Sequence, residues 1–343
     1  MKMFDLKSAH EAALVVSLFA LLFPMSSNAA QSDIKLGLPI DCTVGKDCWL
    51  VNLVDLDASA GVKDYNCQDE SYNGHKGTDI SVRDLKALRK GVNVLAAAAG
   101  VVRNIRNGMA DDTGEGSKSK KIKGRECGNG VAIKHDNGWQ TQYCHFRKGS
   151  VSVKPGQRVD KGQKLGLVGF SGKTVFPHIH MTVRYQGKVV DPFTGRNRGK
   201  SCGLGADYLW DAALIPDLTK PLMAIFSAGF SGIKPKASAV LAGLHQDKVI
   251  SRQAPFLVIW GLTYRIKKGD RVHTQITSPD GGVVISHDSV IKQNKARRLL
   301  YAGKKRKKLY WPEGIYRGEM SIRRPLADGS EHVVRVKREM LVR

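Results

Sequence analysis

Acidic residues are scarce in this chain, with 31 Asp and Glu against 55 Lys and Arg among 343 residues, a formal net charge of +24. A surface of that sign favours polyanions by mass action without naming one, so nucleic acid, anionic envelope polymers and lipid head groups all qualify. No nucleic-acid reading motif accompanies the charge, which argues against a specific nucleic-acid partner. Beyond the N-terminal region no segment is apolar enough to cross a membrane, which excludes a polytopic protein. Cys-x-x-Cys pairs are missing, and with them the close ligand pairs that structural zinc clusters prefer. No internal repeat is evident, and residues 220–343 contain no cysteine at all.

The apolar content is near the globular norm and the length suits two ordinary domains. Lys2 and Lys7 precede the apolar stretch 12–23, and Pro24 leads into Ser26-Ser27-Asn28-Ala29-Ala30. That three-part layout predicts a signal peptide over residues 1–29, cleaved after Ala29 or Ala30, and hence an exported chain with no span left after cleavage. The rival is an uncleaved anchor, for which the stretch is short. Export makes disulfides the natural state of Cys42, Cys48, Cys67, Cys127, Cys144 and Cys202, with 15 pairings open. A two-residue turn at Asn137-Gly138 places Cys144 opposite Val131. Cys127 then lies about four residues further along the strand, too far for a direct bridge without a bulge or a different turn.

Residues 31–70 carry no strong helical period and read as strand and loop. From Tyr72 to Phe193, short strands alternate with glycine turns: 130–135, 139–146, 164–168 and 178–185, punctuated by Asp136-Asn137-Gly138 and Pro155-Gly156. The residues around Ala96–Ala99 read as two strands meeting at a turn, against their helical propensity. The segment 109–125 is nearly devoid of apolar residues and reads as a long exposed loop. Composition changes again near Ile215-Pro216. After it come alternating pieces such as 256–260 and 333–336, separated by Pro279-Asp280-Gly281-Gly282 and Pro312-Glu313-Gly314. The expected architecture is mainly β: an antiparallel sheet domain over 30–214, with its core about 72–193, followed by a basic β-sandwich-like domain over 215–343. Lys304-Lys305-Arg306-Lys307-Lys308 is its densest patch, either a solvated loop or a polyanion dock.

Three short segments carry candidate chemistry. His75-Lys76-Gly77-Thr78-Asp79 sets an imidazole and a carboxylate around a glycine, a spacing that by itself is often a mere surface hydrogen bond. In 177–185, strand alternation puts Ile179, Met181, Val183 and Tyr185 on a core face. His178, His180, Thr182 and Arg184 share the other face, where two neighbouring imidazoles can reach one metal. In 140–146 the same alternation puts Tyr143 and His145 on one face and Cys144 with Phe146 on the other. Cys144 is therefore expected to be a core thiol or disulfide partner rather than to join His145 at a metal. His135, beside a hairpin turn, reads as a surface histidine. His245, His273, His287 and His332 have no partner motif.

Taken in order, these segments resemble the lysostaphin-type (LytM-type) zinc metallopeptidases, which cut peptide bonds in peptidoglycan. The resemblance spans about Tyr72 to Phe193, roughly a third of the chain. It includes Gly128-Asn129-Gly130, Pro155-Gly156 with Val159 and Gly162, Ser171-Gly172 with Thr174, and Val190-Asp191-Pro192. It implies one Zn2+ held by His75, Asp79 and His180, with His145 and His178 free for chemistry. Three protein ligands leave a position for water, which the metal acidifies while it polarises the scissile carbonyl. No His-Glu-x-x-His helix supplies a glutamate base. His145 and His178 therefore remain for proton transfer and oxyanion stabilisation, with His145 the preferred base and the division otherwise open. Family members often carry an acidic residue at the position of Thr182, a departure that bears on substrate preference.

The implied function is a zinc metallo-endopeptidase acting on peptidoglycan peptides, in the periplasm or cell envelope in preference to free secretion, since six cysteines suit an oxidative folding system. The alternative is a catalytically silent relative that serves as regulator or scaffold for other wall hydrolases; no implied ligand is missing here. The basic C-terminal domain is expected either to hold the protein on an anionic envelope polymer or to pack over the peptidase cleft as an inhibitory or stabilising module.

Overall fold

The computed structural model describes Met1 and residues 34–111, 122–197, 201–245, 248–326 and 328–343. The expected signal peptide and the middle of the 109–125 loop lie outside the described residues. Asp33–Arg343 forms one compact unit.

Among the described residues, ten strands precede residue 190: β1 (Cys48–Asn52), β2 (Thr78–Val82), β3 (Asn93–Leu95), β4 (Gly100–Arg106), β5 (Asn129–Lys134), β6 (Trp139–Phe146), β7 (Arg158–Val159), β8 (Lys164–Leu167), β9 (His178–Tyr185) and β10 (Lys188–Val189). Eight of them make one antiparallel sheet in the order β1-β2-β9-β6-β5-β4-β7, with β10 also on β9. The pair β3 and β8 forms a separate ribbon, so β3 and β4 flank Ala96–Ala99 as expected yet belong to different sheets. A short helix α1 (Leu85–Lys90) is capped by Asp84, whose carboxylate accepts from Ala87 N at 2.8 Å, and ends at Gly91 with φ 96°.

Eight further strands follow: β11 (Ala224–Ser231), β12 (Val249–Ile250), β13 (Phe256–Ile266), β14 (Arg271–Thr277), β15 (Val283–Val290), β16 (Lys295–Lys305), β17 (Gly314–Pro325) and β18 (Glu331–Val342). They form a three-stranded sheet β11-β13-β16 and a five-stranded sheet β12-β18-β17-β14-β15. Leu257 and Ile259 of the first share a core with Ile276, Tyr316 and Met340 of the second, which makes this region a β-sandwich.

β13 reads as a continuous apolar run because both its faces are covered. Leu257 and Ile259 point into the sandwich, while Trp260, Leu262 and Tyr264 pack on Trp49 and Val51 of β1 and on Phe176. β1 alternates in the same way, sending Cys48 and Leu50 into the first sheet's core. Each fully buried apolar side chain contributes roughly 1.5–3 kcal/mol. The shared cluster therefore outweighs any single hydrogen bond across the junction, worth about 1 kcal/mol.

All six cysteines pair, as Cys42–Cys48, Cys67–Cys202 and Cys127–Cys144. The last bridge corrects the expected hairpin register. Residues 136–138 form a three-residue turn with Asn137 at φ 59°, so Val131 faces Tyr143 and Gly130 faces Cys144. The ladder skips His145 between the Gly130–Cys144 and Asn129–Phe146 partners, and a turn at Gly128 (φ 67°) folds the chain back so that Cys127 O accepts from His145 N at 2.8 Å and Cys127 meets Cys144. Gly130 permits the approach, since a Cβ there would sit 2.3 Å from Tyr143 O. His135 is also corrected: it is buried, with Nδ1 donating to Ala99 O at 2.6 Å and Nε2 2.8 Å from the Thr141 hydroxyl.

Candidate active site

Pairing of β2 with β9 sets Asp79 directly opposite His180 and Ser81 opposite His178. The loop before β2 returns His75 to the same spot. His75 Nε2, Asp79 Oδ1 and His180 Nδ1 converge, with separations of 3.2 Å from His75 to Asp79, 2.8 Å from His180 to Asp79 and 3.1 Å between the imidazoles. Gly77 makes room, because a Cβ there would lie 2.6 Å from both His180 Nε2 and Met181 O.

The Leu53 carbonyl decides the tautomer of His75. His75 Nδ1 donates to Leu53 O at 2.6 Å, which leaves Nε2 of the neutral ring as a lone pair facing Asp79. His180 Nε2 lies 3.0 Å from the Thr182 hydroxyl, and Asn52 Nδ2 donates to Asp79 Oδ2 at 2.6 Å. Burial works against the Asp79 carboxylate, but His75 and His178 outweigh it and hold its pKa well below the usual range. For His75, burial opposes the charged form and the Asp79 carboxylate overcomes it, raising the pKa.

Two imidazole nitrogens and one carboxylate oxygen gathered within 4.8 Å of one another form a candidate metal centre. Their spacing is close to the edge of about 3.3 Å that a tetrahedron of bonds near 2.0–2.1 Å would have, and the N,N,O donor set suits a borderline divalent cation. His180, with a side chain 16% exposed, forms the open rim; His75 and Asp79 are almost sealed, at 1% and 3%. The ring of Tyr72 lies 4.4 Å from that of His75.

His178 Nε2 stands 3.5 Å from Asp79 Oδ1, while its Nδ1 donates to Phe176 O at 2.9 Å beside the Thr174 hydroxyl at 3.1 Å. Simple alternation along β6 would carry His145 into the core with Tyr143. Instead, His145 adopts φ 68°, so its ring comes 4.6 Å from that of His178 and 6.1 Å from that of His180, and Phe146 takes the core position. The expected pairing of faces is thus overturned at His145, although Cys144 is a disulfide partner as anticipated. His145 Nδ1 donates to Ser171 O at 2.8 Å, and its backbone N–H donates to Cys127 O at 2.8 Å. Burial first, then the neighbouring imidazoles, hold the His145 pKa well below 6.5; burial also lowers that of His178, with Asp79 opposing.

Sequence reading missed the supports of this cluster. Leu53 O is a backbone atom and leaves no sequence signal. Asn52 and Arg265 act across the fold: Arg265 Nη2 donates to Asn52 Oδ1 at 2.5 Å.

Fold and donor set together define a mainly antiparallel β domain with a candidate metal centre on one sheet face. Residues 73–192 match Peptidase family M23, in line with the lysostaphin-type resemblance. Over 64 residues the chain is 41% identical to the peptidoglycan DD-endopeptidase ShyA of Vibrio cholerae, covering 19% of this chain and 14% of that protein. Over 135 residues it is 33% identical to the DD-carboxypeptidase/endopeptidase Mpg of Neisseria meningitidis, covering 39% and 26%. A zinc containing peptidase from Vibrio cholerae aligns in structure with 23% identity and a TM-score of 0.27, over 43% of this chain and 39% of that one. The chain spans about a quarter or less of the length of the curated relatives it matches.

Proposed function

We propose that this chain is an exported zinc metallo-endopeptidase that hydrolyses peptide bonds in peptidoglycan, with His75, Asp79 and His180 as zinc ligands and His145 and His178 as the groups that handle protons. The observation that carries the reading is the convergence of His75 Nε2, Asp79 Oδ1 and His180 Nδ1 inside the segment that matches the peptidase family. The similarity to the peptidoglycan DD-endopeptidases ShyA and ShyB of Vibrio cholerae supports the substrate class.

Zinc in this position would supply Lewis acidity, making a water acidic near neutral pH and polarising a carbonyl. The protein's own part is to present two basic nitrogens beside it. Because His145 Nδ1 and His178 Nδ1 are committed as donors to carbonyl oxygens, each neutral ring keeps a lone pair on Nε2. A proton gained at His178 Nε2 is supported by Asp79 Oδ1 3.5 Å away, which suits that ring to stabilising a developing oxyanion. For His145, burial and the neighbouring imidazoles outweigh Asp79, which suits its Nε2 to accepting the water proton as a neutral base.

The reading takes residues 1–29 as a signal peptide, 30–214 as the peptidase region and 215–343 as a second, basic β region. It takes the periplasm or envelope as the compartment and an anionic envelope polymer as a partner of the basic region. Purified sacculi treated with the mature protein, analysed for soluble peptides alongside metal content, test it. Release of peptides by the parent and not by His180→Ala is expected; equal release by both would remove His180 from the ligand set.

A further inference from the structure

Residues 51–53 touch the candidate centre twice. Asn52 Nδ2 donates to Asp79 Oδ2 at 2.6 Å, and Leu53 O accepts from His75 Nδ1 at 2.6 Å. The same short segment is gripped from its far side by Arg265 of β13. Arg265 Nε donates to Val51 O, Nη2 to Asn52 Oδ1 at 2.5 Å, and Nη1 to Asp69 O at 3.1 Å. Glu70 closes the arrangement: its carboxylate lies 3.1 Å from Arg265 Nε, and its backbone oxygen accepts from Leu53 N at 2.8 Å.

We infer that Arg265, a residue of the C-terminal sandwich, is a positioning residue for the metal centre of the M23-matching region, acting through the Asn52 amide on Asp79. The inference rests on the zinc reading above. Its physical core is a polarity argument. An amide side chain can face a neighbour with either its oxygen or its nitrogen, and a guanidinium can only donate. Arg265 therefore obliges Asn52 to turn its oxygen inward and its NH2 group toward Asp79. That NH2 group engages Oδ2 and leaves Oδ1 for the position between His75 and His180.

Arg265 is buried and holds φ 50°, a left-handed conformation unusual for arginine within a strand. The sandwich supports the other side of the site as well. Arg297 lies 5.5 Å over the Phe176 ring and donates to Val175 O at 3.1 Å, and Phe176 stacks on His178 with centroids 4.4 Å apart. The C-terminal region thus reaches both Asp79 and His178 from behind.

The test measures zinc affinity of the full chain by competition with a chelating dye, with thermal unfolding as a check on folding and the visible spectrum of the cobalt-substituted protein as a report on coordination. Arg265→Met and Asn52→Ala are each expected to weaken zinc binding 10- to 100-fold and to alter the cobalt spectrum. The double variant is expected to be no worse than the poorer single one, since both break one path. Arg265→Lys, which keeps a donor, is expected to recover part of the affinity. Glu70→Gln, which removes the ion pair and leaves the Asn52 contact, is expected to keep zinc affinity even if the melting temperature falls. Parental affinity and spectrum in folded Arg265→Met would overturn the inference. Should that variant not fold, parental affinity in Asn52→Ala would do so. Failure of the parent itself to bind zinc would sink the zinc reading instead, a result visible before any variant is made.

Discussion

Asn52 occupies one oxygen of Asp79 and leaves the other to the histidines: Nδ2 lies 2.6 Å from Oδ2, whereas His75 and His180 both approach Oδ1. The carboxylate is thus divided between a donor that orients it and a position open to a cation.

Asp79→Asn tests that division. With its NH2 group demanding an acceptor, Asn52 would draw the new amide oxygen to itself and turn the new amide nitrogen toward the histidines, where it offers no lone pair. Zinc retention after dialysis is expected to fall at least about 100-fold in affinity, with the fold intact. Stoichiometric zinc in this variant would show that Oδ1 is not a ligand.

Thr182 offers a hydroxyl to His180 Nε2 at 3.0 Å where relatives of the resembled family often carry an acid. A carboxylate there would accept a stronger hydrogen bond from Nε2–H and make Nδ1 a more basic electron-pair donor to a metal. Thr182→Asp is expected to tighten zinc binding several-fold and Thr182→Val to weaken it by roughly 10-fold; opposite signs in a calorimetric titration would refute the assignment of Nδ1 as the metal-facing atom.

Gly77 lies against the His180 ring. In Gly77→Ala the new methyl would sit 2.6 Å from Nε2 and from Met181 O, so the loop or the ring must move. We expect a stability loss of roughly 1–3 kcal/mol by denaturant titration, together with impaired zinc binding. A variant as stable as the parent would mean the loop yields freely.

The acid limb of activity follows from His145, the neutral base. Burial and the neighbouring imidazoles keep its pKa well below 6.5, and a cation beside it would push in the same direction. It therefore stays neutral as pH falls through 6.5, and kcat/KM on a soluble peptide is expected to hold there and drop only at lower pH. A midpoint at or above 6.5 would exclude His145 as the neutral base in the free enzyme.

His135 supplies a stability signature away from the metal centre. Burial lowers its folded pKa below the ordinary 6.5, so as pH falls past that value the unfolded chain takes up a proton that the folded chain refuses. Its contribution is complete above 6.5 and is lost as pH falls toward the folded pKa. His135→Asn, which keeps a donor for Ala99 O, should flatten the decline of the melting temperature between about pH 7 and 5. An unchanged slope would contradict a buried neutral ring.

Much of the framework is legible in the sequence because it depends on local period. The strands 139–146, 164–168 and 178–185 follow from alternation and glycine turns, and the structure places them within a residue of the expected bounds. The shared face of His178, His180 and Thr182 follows from the same pleat. Alternation fails where the backbone leaves the β region. His145 at φ 68° and Arg265 at φ 50° are turned by left-handed residues that cost roughly 1–3 kcal/mol and persist only because hydrogen bonds from distant segments hold them.

The bridge from Cys127 to Cys144 had a similar obstacle. Two-residue and three-residue turns at Asn137 differ by one residue of register, and Cys127 returns to Cys144 only through the left-handed turn at Gly128 beside the inserted His145.

By itself the sequence determined which residue types stand at local spacing: a β framework, two imidazoles on one strand face, and a His–Asp pair around a glycine. Only tertiary structure decided which atoms meet. The pairing of β2 with β9 put Asp79 opposite His180, and the packing of β13 on β1 carried Arg265 to Asn52. Those contacts join residues more than a hundred positions apart, where no sequence period can reach.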